Sequence, residues 1–187
     1  MQNTVLTARI KTIFYKCALY GAALFLVGVM QVSFFSKINV LGAPPDLLLG
    51  AVLTLAMVED HKVASVCGII AGFFYCALGG FSYPIYMVFS FLCGYILWGV
   101  SERTFSKNYP SFLALAAITY AAKALFNIFE TALSSYRFSF LNTVGSIAFP
   151  EFVSSMLFCS LSYLIFRGLS HVFNKKSKHR KERSVYE

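Results

Sequence analysis

Residues 44–58 read PPDLLLGAVLTLAMV, in which two prolines and an aspartate precede an almost entirely apolar run over residues 47–58. As a helix, this run would rise about 18 Å, against roughly 30 Å of hydrocarbon in a bilayer. Proline removes a backbone donor and disfavours helix in the residue before it, while Asp46 can cap the helix that follows. The stretch therefore predicts a membrane segment that is broken or re-entrant at Pro44 and Pro45. Because lipid cannot satisfy backbone polar groups, the break should pack against protein or open to water.

Similar apolar stretches occupy most of the remaining chain. Of its 187 residues, 58% are hydrophobic and only 13% are charged, which is far more apolar than an ordinary soluble domain. The apolar stretches run approximately over residues 17–35, 47–58, 63–78, 85–100, 111–133 and 147–166. We therefore predict an all-α, polytopic membrane bundle with six transmembrane helices in residues 1–173, followed by a basic tail in residues 174–187.

Lysine and arginine are distributed unevenly between these stretches. Thirteen of the sixteen lie on the side of the bilayer that would hold both termini, two lie on the opposite side, and Lys123 lies inside a span. Cytoplasmic loops carry an excess of Lys and Arg, so both termini are predicted to be cytoplasmic.

The tail accounts for much of the net charge of +8. We expect its six cations to contact anionic membrane lipid rather than nucleic acid, because no aromatic platform accompanies them. A disordered, solvated tail fits the same composition equally well. The six residues are Lys175, Lys176, Lys178, Arg180, Lys181 and Arg183.

Three polar side chains share one face of the fifth span. Lys123, Asn127 and Glu130 are spaced at i, i+4 and i+7, near and beyond the bilayer midplane. Charges at that depth are costly and need partners, and Asp46 and Glu151 begin the second and sixth spans at a similar outer depth. We predict that these five residues form an outer polar cluster, called the Lys123 cluster below. It is either an ion-pair network that fixes helix packing or a relay for a proton or a substrate.

Small residues recur at every fourth position of the third span. A face of this kind allows another helix to approach closely, either within the protein or from a partner. The residues are Ala64, Gly68, Gly72, Cys76 and Gly80. Ala18 and Ala22 form a shorter version of the same pattern on the first span.

The chain lacks the residue patterns of common enzymes and metal sites. Its five cysteines are scattered singly, and its three histidines lie in polar gaps or in the tail. There is no glycine-rich phosphate loop, no G-x-S-x-G elbow and no H-E-x-x-H motif. We therefore expect no metal, no cofactor and no catalytic activity.

Three short stretches, taken in order, point to one known family. They are Pro45–Leu49, Gly68–Phe73 with Ala77–Gly80, and Phe149–Phe152. In sequence, spacing and topology they resemble the MreD family of rod-shape-determining proteins over residues 20–172, although Cys76 stands where many members carry an aspartate. The resemblance implies a non-enzymatic scaffold in the bacterial cytoplasmic (inner) membrane. It also implies binding to the single-span protein MreC and, through MreC, work with MreB, RodA and the transpeptidase of RodA.

The same family is similar in plan to the S components of energy-coupling-factor vitamin transporters. These are also small six-helix membrane proteins, and they bind a vitamin in an outward cavity. They dock their transport partner through small residues on the first helix, which Ala18 and Ala22 match. The resemblance therefore implies an alternative function, vitamin uptake, in which a small ligand would stabilise the purified protein.

Overall fold

The fold is all-α across the residues that the computed structural model describes, which are 2–35, 37, 43–79, 85–104, 108–134 and 139–183. Helix α1 spans Gln2–Met30 and continues as a π-helical turn over Gln31–Phe35. Helices α2, α3, α4 and α5 span Leu47–Val58, His61–Gly79, Ile85–Thr104 and Tyr109–Ser134. A single turn, α6 over Phe140–Thr143, leads through a π-helical turn over Val144–Ala148 into α7, which spans Phe149–Arg183.

Five helical segments within these ranges are long and apolar enough to cross a membrane. They are Ile13–Phe35, His61–Leu78, Ile85–Arg103, Tyr109–Leu133 and Val144–Val172. Helix α2 is a sixth apolar helix, and its 12 residues make it shorter than the others. Its rise of about 18 Å and about 13 Å of extended chain over residues 43–46 together match the hydrocarbon thickness of roughly 30 Å. The chain thus has the architecture predicted for a multi-pass membrane protein, with a second segment that is only partly helical.

Helix α2 lies at the centre of the bundle. All its residues from Leu47 to Met57 are buried, and α1, α3, α4, α5 and α7 pack against it. One apolar cluster joins α2 to α1 and α3, and a second joins it to α4 and α5. A helix that is hydrophobic on every side is stable when it is enclosed on every side. Helix α2 therefore contacts protein along its whole length.

The two ends of α2 define the two ends of the bundle. Asp46, before α2, contacts the second half of α5 and the beginnings of α4 and α7. Glu59, after α2, contacts the first half of the membrane segment Ile13–Phe35 and the second half of the membrane segment Val144–Val172. Helices that neighbour one another in sequence therefore alternate in direction. We refer below to the Asp46 end and the Glu59 end.

The small-residue face of α3 packs against α4. A methyl group added to Gly68 would lie 2.5 Å from the carbonyl oxygen of Ser90, and one added to Gly72 would lie 2.6 Å from the Cα of Met87. Such distances show that the two helix backbones are in direct contact, which only glycine permits. Of the two alternatives left open by the sequence, α4 of the same chain occupies this part of the face.

The contact between α3 and α4 is reciprocal. Gly94 of α4, which sequence reasoning did not select, lies against Ala64 of α3, and a methyl group there would be 2.7 Å from the Ala64 carbonyl oxygen. Cys76 is half-buried further along the same face, and Gly80 lies outside the described residues. The small-residue face of α3 therefore forms one side of a helix–helix interface, and α4 forms the other side.

Helix α7 continues well beyond its apolar segment. It ends at Arg183, so the backbone of the basic tail is helical up to that residue; a disordered tail was one of the two interpretations that the sequence left open. Extending an existing helix avoids the cost of nucleation, and Lys and Arg have good helix propensity. Residues 184–187 lie outside the described part of the chain.

Candidate functional site

The segment before α2 is non-helical, as predicted from Pro44 and Pro45. The first two backbone N–H groups of α2, on Leu47 and Leu48, both donate to Oε1 of Gln31 over 3.0 Å and 3.2 Å. Gln31 begins the π-helical turn at the end of α1. The break is therefore packed against protein, and a side chain from another helix replaces the hydrogen bonds that lipid could not provide.

Asp46 caps α2 and binds the helices around it. Its side chain accepts a hydrogen bond from the Leu49 N–H over 3.0 Å, which is the geometry of a helix N-cap. Its own N–H donates to Oγ of Ser155 over 2.9 Å, and its carbonyl oxygen accepts from the Tyr120 hydroxyl over 2.7 Å. With 2% of its surface exposed, Asp46 is fixed by both its backbone and its carboxylate.

Lys123 connects Asp46 to the beginning of α7. Its ammonium group forms ion pairs with Oδ2 of Asp46 and, over 2.5 Å, with Oε1 of Glu151. The side chains of Lys123, Asp46 and Glu151 are 2%, 1% and 15% exposed. Asn127 donates to Oε2 of Glu151 over 2.5 Å. The structure therefore brings together four of the five residues that were predicted to form the Lys123 cluster.

Two tyrosines that the sequence analysis did not identify cover Lys123. Tyr86 of α4 donates its hydroxyl to Oδ2 of Asp46 over 2.5 Å, and its ring stacks on that of Tyr75 of α3, with centroids 4.0 Å apart. Lys123 Nζ lies 4.7 Å and 5.2 Å from the Tyr75 and Tyr86 centroids, within range of cation–π attraction. No motif separates these two residues from the rest of the 11 tyrosines in the chain.

Glu130, the fifth predicted member, lies about one turn beyond Asn127 on α5 and is half-buried. It has an interaction of its own, and it is near enough to Cys76 of α3 for its charge to act there.

A narrow crevice lies beside the Lys123 cluster, between α5 and α7. It encloses at most about 160 Å³, open solvent included, whereas pockets for drug-sized ligands are roughly 300–1,000 Å³. Its lining comprises Tyr120, Lys123, Ala124, Ala148, Glu151, Phe152 and Ser155. The crevice is too small for a molecule the size of a vitamin.

A second charged cluster, called the Glu59 cluster, lies at the other end of α2. The carboxylate of Glu59 accepts hydrogen bonds from Lys16 Nζ over 2.6 Å, from the Tyr20 hydroxyl over 2.7 Å and from Ser170 Oγ over 2.9 Å. Glu59 is 6% exposed, and it joins α1, α2 and α7. The sequence analysis did not select Glu59, because an acidic residue in a gap between spans is usually solvated. Its position directly after a wholly apolar helix is the feature that could have indicated its burial.

Cationic side chains surround the Glu59 end. Lys62 at the beginning of α3, Arg103 at the end of α4 and Arg167 on α7 are all exposed there. The guanidinium of Arg167 also lies 5.1 Å from the ring centroid of Tyr163. Lys37, which is exposed in the turn after α1, lies at the Asp46 end. The charge asymmetry predicted from the sequence is thus an asymmetry between the two ends of the bundle.

These features define a class of protein, a multi-pass membrane bundle with a buried ion-paired cluster at one end of its central helix. No group of three or more His, Cys, Asp or Glu side chains within the described ranges could hold a metal ion, and all five cysteines are free. No protein-family model matches the chain, and comparison with curated proteins and with solved structures gives no match either. The resemblance to the MreD family therefore rests on the three sequence stretches.

Proposed function

We propose that this chain is a non-enzymatic membrane scaffold of the bacterial rod complex, which binds MreC and positions partner membrane proteins for cell-wall elongation. The observation that carries the scaffold part of the proposal is the filled interior of the bundle. Helix α2 is enclosed by five other helices, and Lys123 is shared by Asp46 and Glu151. Charges that satisfy one another in this way hold helices in a fixed register, which a scaffold needs.

The assignment to the rod complex depends on the resemblance of the three stretches to the MreD family. Two of those stretches contain residues of the Lys123 cluster, namely Asp46 in the first and Glu151 in the third. The stretch between them contains Gly68 and Gly72, which form the contact with α4. The residues that support the resemblance are therefore the ones that hold the bundle together. In this proposal MreC is the direct partner, and MreB, RodA and its transpeptidase are reached through MreC.

The Glu59 end faces the cytoplasm in this proposal, and both termini lie there. Exposed Lys62, Arg103 and Arg167 support this orientation through the positive-inside rule. The basic extension of α7 would then meet anionic lipid of the inner leaflet, with an attraction of about 1 kcal/mol per nearby cation. Reporter fusions at the two termini test the orientation, and reporters on opposite sides of the membrane would contradict it.

Depletion in a rod-shaped bacterial host that carries this chain tests the function. We expect depleted cells to become round, and we expect MreC to co-purify with an affinity-tagged chain that restores the rod shape. Gly99→Ala adds a methyl group that lies within 4 Å of none of the described residues. This variant should restore rod shape as the wild type does and serves as the control. Cells that stay rod-shaped on depletion, with no MreC in the purified material, would refute the proposal.

The exposed small residues of α1 favour a second candidate, the S component of a vitamin transporter. Ala18 and Ala22 are both exposed on α1, so a partner helix could approach this surface closely. The narrow crevice beside Lys123 argues against a vitamin in that place. A panel of vitamins, added one at a time to the purified protein, separates the two candidates. A marked rise in the thermal unfolding temperature with one vitamin supports uptake, whereas co-purification of MreC without such a rise supports the scaffold.

A further inference from the structure

Arg167 is an exposed cation at the Glu59 end, and no carboxylate among the described residues pairs with it. Its guanidinium donates to the hydroxyl of Tyr163, one turn earlier on α7, and lies 5.1 Å from the centroid of that ring. Lys62 and Arg103 are exposed at the same end, but the described residues show no such contact for them. The fold therefore holds the charge of Arg167 in one place and does not neutralise it there.

Two contacts place Arg167 at the level of the membrane surface. Tyr109, the first residue of α5, lies against Tyr163, with ring centroids 5.4 Å apart. Glu59, which directly follows α2, accepts a hydrogen bond from Ser170. Arg167 lies between Tyr163 and Ser170 on α7, so it is level with the beginning of one membrane segment and the end of another. Lipid head groups and aromatic side chains such as Tyr109 occupy this level of a bilayer.

Hydrogen-bond donors are available beside the guanidinium. Arg167 carries five N–H donors, of which Tyr163 accepts from one nitrogen, and its planar fork matches the oxygens of a phosphate group. The hydroxyl oxygens of Tyr109 and Ser160 are 2.7 Å apart, and Tyr109 is exposed. When Ser160 donates in this bond, the Tyr109 hydroxyl can donate to a head-group oxygen. Arg167 and Tyr109 both pack on Tyr163, so their donors serve one region of the surface.

Exposed leucines continue along α7 from Arg167 towards the middle of the bilayer. Leu164, Leu161 and Leu157 are all exposed, and their spacing of three and four residues places them in a row on one face of the helix. A row of this kind can contact an acyl chain, which a phosphate ion in solution lacks. The surface therefore combines a cation at the head-group level with an apolar strip below it, and a phospholipid matches both parts.

We propose that Arg167, Tyr163 and Tyr109 form a binding site for one anionic phospholipid in the leaflet at the Glu59 end. The guanidinium binds the phosphate group, the Tyr109 hydroxyl donates to a head-group oxygen, and an acyl chain lies along the exposed leucines of α7. A lipid with a single net negative charge neutralises Arg167, whereas a zwitterionic lipid brings a cation of its own. The site is on the transmembrane body, apart from the basic tail, and it does not depend on which proteins the bundle binds.

Native mass spectrometry of the full-length protein in detergent micelles tests the proposal, because it counts the lipid molecules that stay bound. We expect the wild type to bind one phosphatidylglycerol molecule more tightly than phosphatidylcholine. Arg167→Gln should weaken this first binding step about tenfold or more, because charged hydrogen bonds to the phosphate are lost. The matched control Arg103→Gln removes an exposed arginine at the same end and should leave the step unchanged. Replacing the six tail cations by glutamine should also preserve it.

Four results would overturn the proposal. They are equal affinities of the wild type for the two lipids, an unchanged first step in Arg167→Gln, an equally large loss in Arg103→Gln, and disappearance of the step with the tail cations. Excess inorganic phosphate should leave the lipid bound, and its displacement would indicate a site for anions from solution instead. If Arg167→Gln does not fold, Arg167→Lys provides the decision, because it keeps the charge and removes the fork. It should bind phosphatidylglycerol severalfold more weakly, and wild-type affinity would rule out the site.

Discussion

Replacing Gly68 by alanine is the sharpest test of how closely α3 and α4 approach each other. The added Cβ would lie 2.5 Å from the carbonyl oxygen of Ser90, 3.0 Å from its carbonyl carbon and 3.2 Å from the Cα of Phe91, whereas ordinary contacts are 3.4–4 Å. All three are backbone atoms, so no side-chain rotation relieves the overlap. The two helices must therefore separate by about 1 Å, and they lose packing along their contact.

The expected size of the effect follows from two opposing terms. Alanine is favoured over glycine within a helix by about 1 kcal/mol, whereas overpacking of a tight contact costs about 1–3 kcal/mol. Gly99→Ala on α4 is the matched control, since a methyl group there lies within 4 Å of none of the described residues. Because both variants gain the same helix propensity, the difference between them isolates the overlap. We expect Gly68→Ala to have a free energy of unfolding about 1–3 kcal/mol lower than Gly99→Ala.

Reversible unfolding in mixed detergent micelles, followed by circular dichroism, measures this difference. The two purified variants are compared with the wild type under the same conditions. Equal unfolding free energies for Gly68→Ala and Gly99→Ala would show that α3 and α4 are further apart than described. In that case the small-residue face would again be available to a partner.

Three further substitutions test the polar contacts, each by the same unfolding measurement. Lys123→Met should lower the unfolding free energy by about 3–5 kcal/mol because it leaves two buried carboxylates without a cation. Adding Asp46→Asn to this variant should recover part of the loss. An unchanged unfolding free energy in Lys123→Met would contradict the ion pairing. Gln31→Leu should cost about 1–3 kcal/mol because two N–H groups of α2 lose their acceptor, and wild-type stability would mean that the break is satisfied in another way. Tyr20→Phe should cost about 1 kcal/mol through the lost hydrogen bond to Glu59, and a gain in stability would argue against a buried Glu59 cluster.

The positions of the helices could be predicted because they depend on local composition. The apolar run predicted at residues 47–58 coincides with α2, Leu47–Val58, and the run predicted to begin at residue 85 coincides with the beginning of α4 at Ile85. Segments inside hydrocarbon must be apolar, and proline interrupts a helix, so both features can be recognised from the residues along the chain. The composition of the tail did not indicate that α7 continues to Arg183, because the cost of continuing a helix depends on the helix that precedes it.

The candidate site was predictable only in part. The helical spacing of Lys123 and Asn127 placed them on one face, and the cost of a buried charge implied acidic partners, which are Asp46 and Glu151. The tyrosines that cover Lys123 could not be predicted, since a tyrosine in a span is common and its hydroxyl can bind many partners.

The residues that complete these contacts from another helix were also not predicted from the sequence. Ser90 and Gly94 form a pair of small residues at helical spacing, but the pair does not show which helix it meets. Gln31 and Glu59 lie where polar residues are expected at the ends of spans. Each of them acts on a helix that is distant in sequence. Their roles arise from the way the helices pack, which no spacing along one helix specifies.

The amino-acid sequence alone determined that the chain is a helical membrane bundle. It also determined where the apolar segments begin and which charged residues inside them needed partners. Each of these properties follows from the free energy of transferring a single segment from water to hydrocarbon. The tertiary structure decided that α2 is the enclosed central helix, that α4 covers the glycines of α3, and that Lys123 is shared by two carboxylates. These are contacts between segments far apart in the chain. Their energies depend on distances that exist only after the helices have packed.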